Sequence, residues 1–226
     1  MSLKSRILLH LFLGLIIVAA MLFIPAGSLR FWQGWVFMIL VFIPVISFYL
    51  YFYKHDPQLL ERRLQSKEKV SEQRLLIRLL KLLFFAAFLL PGLDYRFGWS
   101  RNSLGAVPMW LTLLAQVLLL GGLLFVFWVL KVNSFASRTI QVEAGQSVIS
   151  DGPYRMVRHP MYSGSVVMWL VIPLALGSYF AWPAFALLIP VYVFRLLNEE
   201  KVLRQELPGY PAYCLRTRYR LVPFVW

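Results

Sequence analysis

Long apolar runs limit what this chain can become. Four of them cover about Ile7–Pro25, Phe31–Tyr53, Leu75–Leu93 and Val107–Leu130. A helical bilayer crossing needs about 20 predominantly apolar residues, and each run approaches or exceeds that length. The runs do not alternate apolar with polar residues, which argues against the strands of a membrane barrel. In lipid every backbone amide must find its partner within the protein, so helices remain. Hydrophobic residues make up 60% of the 226-residue chain and charged residues only 15%, against about a quarter in soluble domains. One globular core cannot hide that much apolar surface. The predicted fold is therefore an all-α integral membrane protein, a polytopic bundle of about five to six transmembrane helices.

Two further apolar stretches, about Met161–Leu176 and Tyr179–Leu197, are short and punctuated by Pro173, Gly177, Pro183 and Pro190. They predict a tight helical hairpin, the last pair of six spans. Pro44 predicts a kink in the second span. The basic start, Lys4 and Arg6, resembles a signal peptide, but no small-residue cleavage site follows, so the first run is expected to be a retained helix. Of the 23 Lys and Arg, only Arg30, Arg96 and Arg101 fall in segments on one side; the rest, from Lys4 and Arg6 through Lys54, Lys67, Lys69 and Arg138 to Arg220, fall on the other. The bias toward cytoplasmic Lys and Arg then predicts both termini and the C-terminal polar segments inside. The net charge of +13 is read as facing anionic lipid rather than nucleic acid, because the cations sit between apolar spans. The lone Cys214 excludes an internal disulfide and an all-cysteine metal site, and no metal is expected. The polar stretch Glu61–Glu72 predicts an interfacial helix or loop, and Ser137–Ser150, around Ala144-Gly145, a short hairpin beside the membrane. The chain divides into N-terminal transmembrane helices, 1–133, and a polar-rich C-terminal region, 134–226.

Three groups of residues in that second region carry candidate chemistry. The first is Asp151 through Gly164. Gly152-Pro153 signals a turn, and Pro160 suits the first turn of a helix. Arg158 and His159 then stand at a helix entrance, where backbone N–H groups and an Arg suit a carboxylate or phosphate; lipid-headgroup anchoring by Arg155 and Arg158 is the plainer alternative. The second is Asn198-Glu199-Glu200, with Arg195 one turn deeper. Carboxylates at the edge of an apolar helix suit a cation, a ribose diol or an ammonium, or simply mark a helix end emerging into water. The third is the tail from Leu207 to Pro223, rich in Tyr and Arg. It reads either as a basic amphipathic segment on anionic lipid or as a lid over a cofactor.

These segments resemble the isoprenylcysteine carboxyl methyltransferase superfamily, which includes the phospholipid methyltransferases. The resemblance rests on Gly152-Pro153-Tyr154, Arg158-His159-Pro160-Met161-Tyr162-Ser163-Gly164, Glu199-Glu200, Tyr210-Pro211-Ala212-Tyr213 and Pro223, in that order. It covers about Ser134 to Pro223; the first half matches only in being apolar helices. It implies a cytosol-facing pocket for S-adenosylmethionine, with S-adenosylhomocysteine as product. It also implies a lipophilic or lipidated acceptor entering sideways from the bilayer. Carried over, Tyr154, Arg158, His159, Tyr162, Glu199, Glu200, Tyr210 and Tyr213 form the cofactor site. Arg195 or Arg216 holds an anionic group of the substrate, with Glu199 counted beside them as catalytic.

Methyl transfer from a sulfonium to a lone pair or anion neutralises charge, so a dry pocket and an in-line arrangement are the main requirements. No covalent intermediate is needed. Carboxyl O-methylation is favoured over N- or S-methylation, although the residues themselves do not choose. His159 is available as a base for an amine or thiol, and a carboxylate needs none. A non-enzymatic transporter or redox-associated subunit is the competing class. Haem ligation wants paired histidines inside spans, whereas His10, His55 and His159 lie at span ends. No repeat of the transporter kind is visible.

Overall fold

The computed structural model describes residues 2–64, 71–137 and 139–226, the side chains of 71–76 excepted. Lys67, Lys69 and Arg138 of the basic set, and most of the centre of the predicted polar segment 61–72, lie outside the described residues. Among the described residues ten α-helices follow one another: α1 Leu3–Ala26, α2 Trp32–His55, α3 Pro57–Leu64, α4 Ser71–Phe97, α5 Trp99–Ser103, α6 Met109–Val132, α7 Pro160–Ala175, α8 Trp182–Ala186, α9 Leu188–Glu206 and α10 Tyr210–Arg216. Among the described residues there is no strand. In place of the hairpin expected at 137–150, the described residues 139–150 are irregular chain with one turn at 144–145, closed by the Gln146 N–H donating to the Glu143 carbonyl at 3.0 Å. Its few β-branched residues have no neighbouring strand to pair with, and a lone hairpin is marginal in water.

Among the described residues three helices, α1, α2 and α6, are long and apolar enough to cross a membrane, against the five to six spans expected. The difference has physical causes. The 27-residue α4 carries Arg78, Lys81 and Asp94 within its length, which shortens its purely apolar stretch. The 16-residue α7 is apolar but short. The last predicted span is broken into α8 and α9, and α9 ends in charged residues. Pro44 lies inside a continuous α2. Ile39, Ile43, Val117, Phe12 and Leu50 are all more than half exposed, a surface that water would penalise at about 25 cal/mol per Å2 and that lipid accepts. This is a helical membrane protein.

The helices close on each other through small residues. A Cβ on Gly92 of α4 would stand 2.5 Å from the Leu22 carbonyl oxygen and 3.0 Å from the Ala26 nitrogen of α1. The backbones of α1 and α4 therefore touch, as small residues allow between membrane helices. Gly164 of α7 plays the same part against α6, where a Cβ would meet Val126 at 3.0 Å and Phe125 at 3.1 Å. Gly92→Ala is expected to destabilise the protein by about 1–3 kcal/mol through overpacking. Gly121→Ala, on a helical position with nothing within 4 Å, should be neutral or slightly stabilising. Thermal unfolding of the two variants in one detergent checks the contrast.

The main apolar core joins α1, α2, α4, α7 and α8 through Leu22, Phe37, Phe88, Ile172 and Phe185. At one end of it the buried Asp94 accepts the Ser100 N–H at 2.7 Å and the hydroxyls of Ser100 and Ser178. That cluster ties α4 and α5 to the turn before α8. The polar C-terminal segments gather elsewhere, where Arg158, His159 and Glu200 are buried together.

Candidate functional site

Local sequence sets the frame of the site. Gly152–Arg155 forms a single 3-10 turn, which Gly152 enters with φ of 55°. The Tyr154 hydroxyl at that turn accepts from the Asn133 amide at 2.8 Å, fixing the turn to the end of α6. His159 is the residue before α7, with Pro160 in the first turn. The backbone N–H groups of Arg158 and His159 donate to the carbonyls of Tyr219 and Arg220, at 2.9 and 3.0 Å. The Ser163 hydroxyl donates to the Leu221 carbonyl at 2.6 Å. The tail thus lies along the start of α7, and these N–H groups hold tail rather than ligand.

Glu200 is the electrostatic hub. Its carboxylate meets Arg158 at 3.1 Å, Arg204 at 2.7 Å and Arg220 at 2.7 Å, with the His159 Nε2 at 3.9 Å. Arg158 also donates to the carbonyls of Thr217 and Arg218, at 3.0 and 2.9 Å. One buried carboxylate therefore joins α9, the entrance of α7 and the tail. Burial works against its charge, but hydrogen bonds from Arg204 and Arg220 and the charge of Arg158 outweigh it and hold the Glu200 carboxyl below its ordinary range.

His159 has the opposite balance. Burial lowers its pKa, Glu200 raises it, and Arg158 and Arg220 lower it further, leaving it at about 4. The ring is neutral at pH 7, with its Nε2 3.4 Å from the Tyr210 hydroxyl, and so weak a base is poorly suited to taking a proton from an ammonium or thiol. Burial pushes the Tyr154 phenol up to about 12 and raises those of Tyr210 and Tyr213 as well. These hydroxyls stay protonated as hydrogen-bond donors, as when Tyr213 donates to the Tyr154 carbonyl at 2.7 Å.

A pH dependence follows from His159. Its folded-state pKa lies below the ordinary 6.5, so between the two values the unfolded chain binds the proton and the folded chain does not. The stability contributed is fully present above 6.5 and is lost as pH falls toward 4. Purified protein should be about 2 kcal/mol less stable at pH 5 than at pH 7 from this group alone. His159→Gln should flatten that slope in thermal unfolding measured across the same range.

Two cavities adjoin this frame. The smaller, about 90 Å3, is walled by the 133–149 segment, the start of α7, α9 and α10. Tyr154, Arg158, His159 and Tyr162 line it, and so do Glu199, Tyr210 and Tyr213. Seven of the eight residues expected to hold a cofactor therefore converge there. Glu200 does not line it; its carboxylate is committed to the three arginines. The larger cavity, about 790 Å3, lies among α3, α4, α7 and α9 with a largely apolar wall, and Arg195 stands in it. Arg216, exposed at the end of α10, lines neither. Tyr162 and Glu199 line both cavities, and the Tyr162 hydroxyl donates to Glu199 at 2.7 Å.

Sequence reasoning did not single out Asn133, Arg63 or Lys81 as site residues, nor the roles of Arg204 and Arg220. Only Arg204 had a local signal, its i,i+4 spacing from Glu200. Among the described residues no group of acidic, His and Cys side chains could hold a metal ion.

Fold and site together define a helical membrane protein with a smaller, more polar cavity and a larger, largely apolar one that share Ser137, Thr139, Met161, Tyr162 and Glu199. Residues 110–208 match the model of the phospholipid methyltransferase family. Over 94 residues the chain is 32% identical to a delta(14)-sterol reductase of Mus musculus, an alignment covering 39% of this chain and 22% of that protein. The chain thus spans well under a third of the relative's length. That segment, a little under half of the chain, is similar to the phospholipid methyltransferase family, part of the isoprenylcysteine carboxyl methyltransferase superfamily. The matched segment runs from α6 nearly to the end of the site; α1 to α4 and the tail beyond Pro208 lie outside it.

Proposed function

We propose that this chain is an S-adenosylmethionine-dependent methyltransferase acting on a lipophilic acceptor, with its site on the cytoplasmic membrane face. The observation that carries the reading is the pair of cavities sharing Tyr162 and Glu199. A more polar pocket beside an apolar one, sharing a wall that includes a hydrogen-bonded tyrosine–glutamate pair, suits transfer between a polar donor and a lipid. The family match over 110–208 supports methyl transfer, and the basic bias of the same segments supports the cytoplasmic orientation.

The residues of the smaller cavity suit the cofactor. Glu199 offers a carboxylate to a cationic or hydroxylated group, and the tyrosines offer aromatic faces and protonated hydroxyls. The present space of about 90 Å3 is below the roughly 300 Å3 at the low end of ligand pockets. Binding therefore needs the irregular 139–149 wall to move outward. When bound, S-adenosylmethionine supplies an electrophilic methyl on a sulfonium. Glu199 then places negative charge where the two cavities meet, Tyr162 orients that carboxylate, and the apolar wall of the larger cavity keeps water from the acceptor. Carboxyl O-methylation is the favoured form, since neutral His159 and committed Glu200 leave Glu199 as the only acid or base at the junction among the described residues lining both cavities, and a carboxylate acceptor needs no base.

The likeness to a sterol reductase favours a second reading, reduction of a lipid by a hydride donor in the same smaller cavity. Calorimetry on detergent-purified protein separates the two. Micromolar binding of S-adenosylmethionine and S-adenosylhomocysteine, lost in Glu199→Ala and His159→Ala, is expected. Binding of a reduced nicotinamide dinucleotide in their place would overturn the methyltransferase reading in favour of the reductase.

A further inference from the structure

Beyond the end of α6 the described residues 133–137 belong to no helix or strand, yet Phe135 and Ala136 help wall the smaller cavity. Backbone groups on such a stretch need partners from elsewhere. Asn133 serves the N–H groups: its Oδ1 accepts from Phe135 at 2.9 Å and its carbonyl accepts from Ala136 at 3.3 Å. The carbonyls are served from α3. Arg62 donates to the Ser134 carbonyl at 2.8 Å, with its guanidinium 5.2 Å from the centre of the Phe135 ring. Arg63 donates to the Ala136 carbonyl at 3.4 Å and lies 3.6 Å from the Met161 sulfur. The helix that carries them is itself anchored. Asp56 accepts the Leu59 N–H at 3.0 Å at its start, and Leu59, Leu60 and Leu64 are buried with Phe52, Leu130 and Ala136. Anchoring on anionic lipid asks only for cations at the surface. It gives no reason for two guanidinium groups to meet two carbonyls of one loop.

We propose that Arg62 and Arg63 are positioning residues of the smaller cavity: from α3 they fix the 134–136 part of its wall, and so set how tightly the donor is held. The proposal rests on the reading of that cavity as the donor's. Neither arginine lines it; each acts through the backbone it bonds. The 139–149 part of the wall gives way when the donor enters, and a fixed 134–136 stretch confines that movement to the residues beyond it. Phe135 and Met161 then keep their places. Hydrogen bonds from a charged donor are the stronger kind, and a wall ordered before binding loses less entropy on binding. Arg62 and Arg63 lie outside the segment that matches the family, so the N-terminal half tunes a site built by the C-terminal half.

The test uses full-length protein in a neutral detergent, with two readouts. Without ligand, amide hydrogen exchange at Phe135 and Ala136 should rise about tenfold in Arg62→Ala, while α1 and α6 keep wild-type protection. By calorimetry, S-adenosylhomocysteine should bind Arg62→Ala about tenfold more weakly. Arg62→Lys keeps a donor for the Ser134 carbonyl and should recover most of that affinity. Lys54→Ala removes an exposed cation at the end of α2 and should change neither readout. Exchange or affinity unchanged in Arg62→Ala, or an equal loss of affinity in Lys54→Ala, overturns the proposal. Exchange raised throughout α1 and α6 overturns it too, since the role is then structural only. Failure of the wild-type protein to bind S-adenosylmethionine and S-adenosylhomocysteine overturns the methyl-transfer reading instead, and the hold of α3 on the loop is then decided by the exchange at Phe135 and Ala136.

Discussion

Glu200→Ala is expected to be the most destabilising single substitution at the site, by about 3 kcal/mol. Removing one partner from a buried ion pair costs roughly 3–5 kcal/mol, because the other charge is left unpaired in a poorly solvated place. Arg158 is that charge: its side chain is 5% exposed, against 31% for Arg220 and 45% for Arg204. The two outer arginines can turn to water, so the lower end of the range applies. The loss should be local in structure as well as global in energy. The tail is held by the Arg158 contacts to Thr217 and Arg218 and by Arg220 on Glu200. Amide hydrogen exchange at 217–221 should therefore rise in the variant while α1 and α6 remain protected. Glu200→Gln keeps an acceptor but not the charge, and should lose less. Adding Arg158→Met to Glu200→Ala should recover only part of the loss, because the carbonyls of Thr217 and Arg218 are then left unsatisfied. Full recovery would show that the pair is dispensable to the tail. In the wild-type protein the hub also fails with acid: its folded pKa is lowered, so its contribution is complete above the ordinary carboxyl value and fades as pH falls below it.

That hub shows where the sequence stops informing. Adjacent residues on a helix project about 100° apart, so Glu199 and Glu200 lean to different sides of α9, and here only Glu199 lines the cavities. Which one does depends on where Arg158 and Arg220 arrive, and they come from α7's entrance and the tail, remote in the chain. The helices themselves were easier to read. α1, α2 and α6 follow from runs of about 20 apolar residues, because in lipid the backbone has no other solution. The turn at Gly152-Pro153 and the start of α7 at Pro160 follow from the fixed φ of proline and its missing N–H. Six full spans did not follow: α4 and α9 carry charges that belong to a cavity wall and an ion network, and hydropathy alone cannot tell such a helix from a crossing one. Arg63 and Lys81 were hidden for the same reason. In sequence they are part of a basic stretch suited to anionic lipid, and only the arrangement of α3, α4 and α9 brings them to one cavity. Gly92 is a plain residue in an apolar run until Leu22 is found against it.

The largest effect on turnover is expected at the junction of the cavities. Glu199→Gln should lower methyl transfer by about 100-fold, close to 2.7 kcal/mol of transition-state stabilisation, since it removes the one carboxylate that lines both spaces. Tyr162→Phe removes only the hydroxyl that donates to Glu199 at 2.7 Å. It should cost about tenfold, by letting the carboxylate turn away. If Tyr162 acts through Glu199, the double variant should be no slower than Glu199→Gln alone, because the orienting bond has nothing left to orient. Multiplying effects, about 1000-fold together, would mean that Tyr162 contacts the reacting groups independently. The readout is transfer of a labelled methyl from S-adenosylmethionine to lipid extract, with cofactor affinity measured alongside. A fall in turnover at unchanged affinity assigns the pair to the transfer step, whereas a fall in affinity alone assigns Glu199 to holding the donor. The distinction matters physically: a carboxylate that only binds a sulfonium stabilises the ground state, and transfer neutralises the charge it binds. A loss of turnover at unchanged affinity would therefore come from Tyr162 and Glu199 holding donor and acceptor in line, rather than from the charge of the carboxylate.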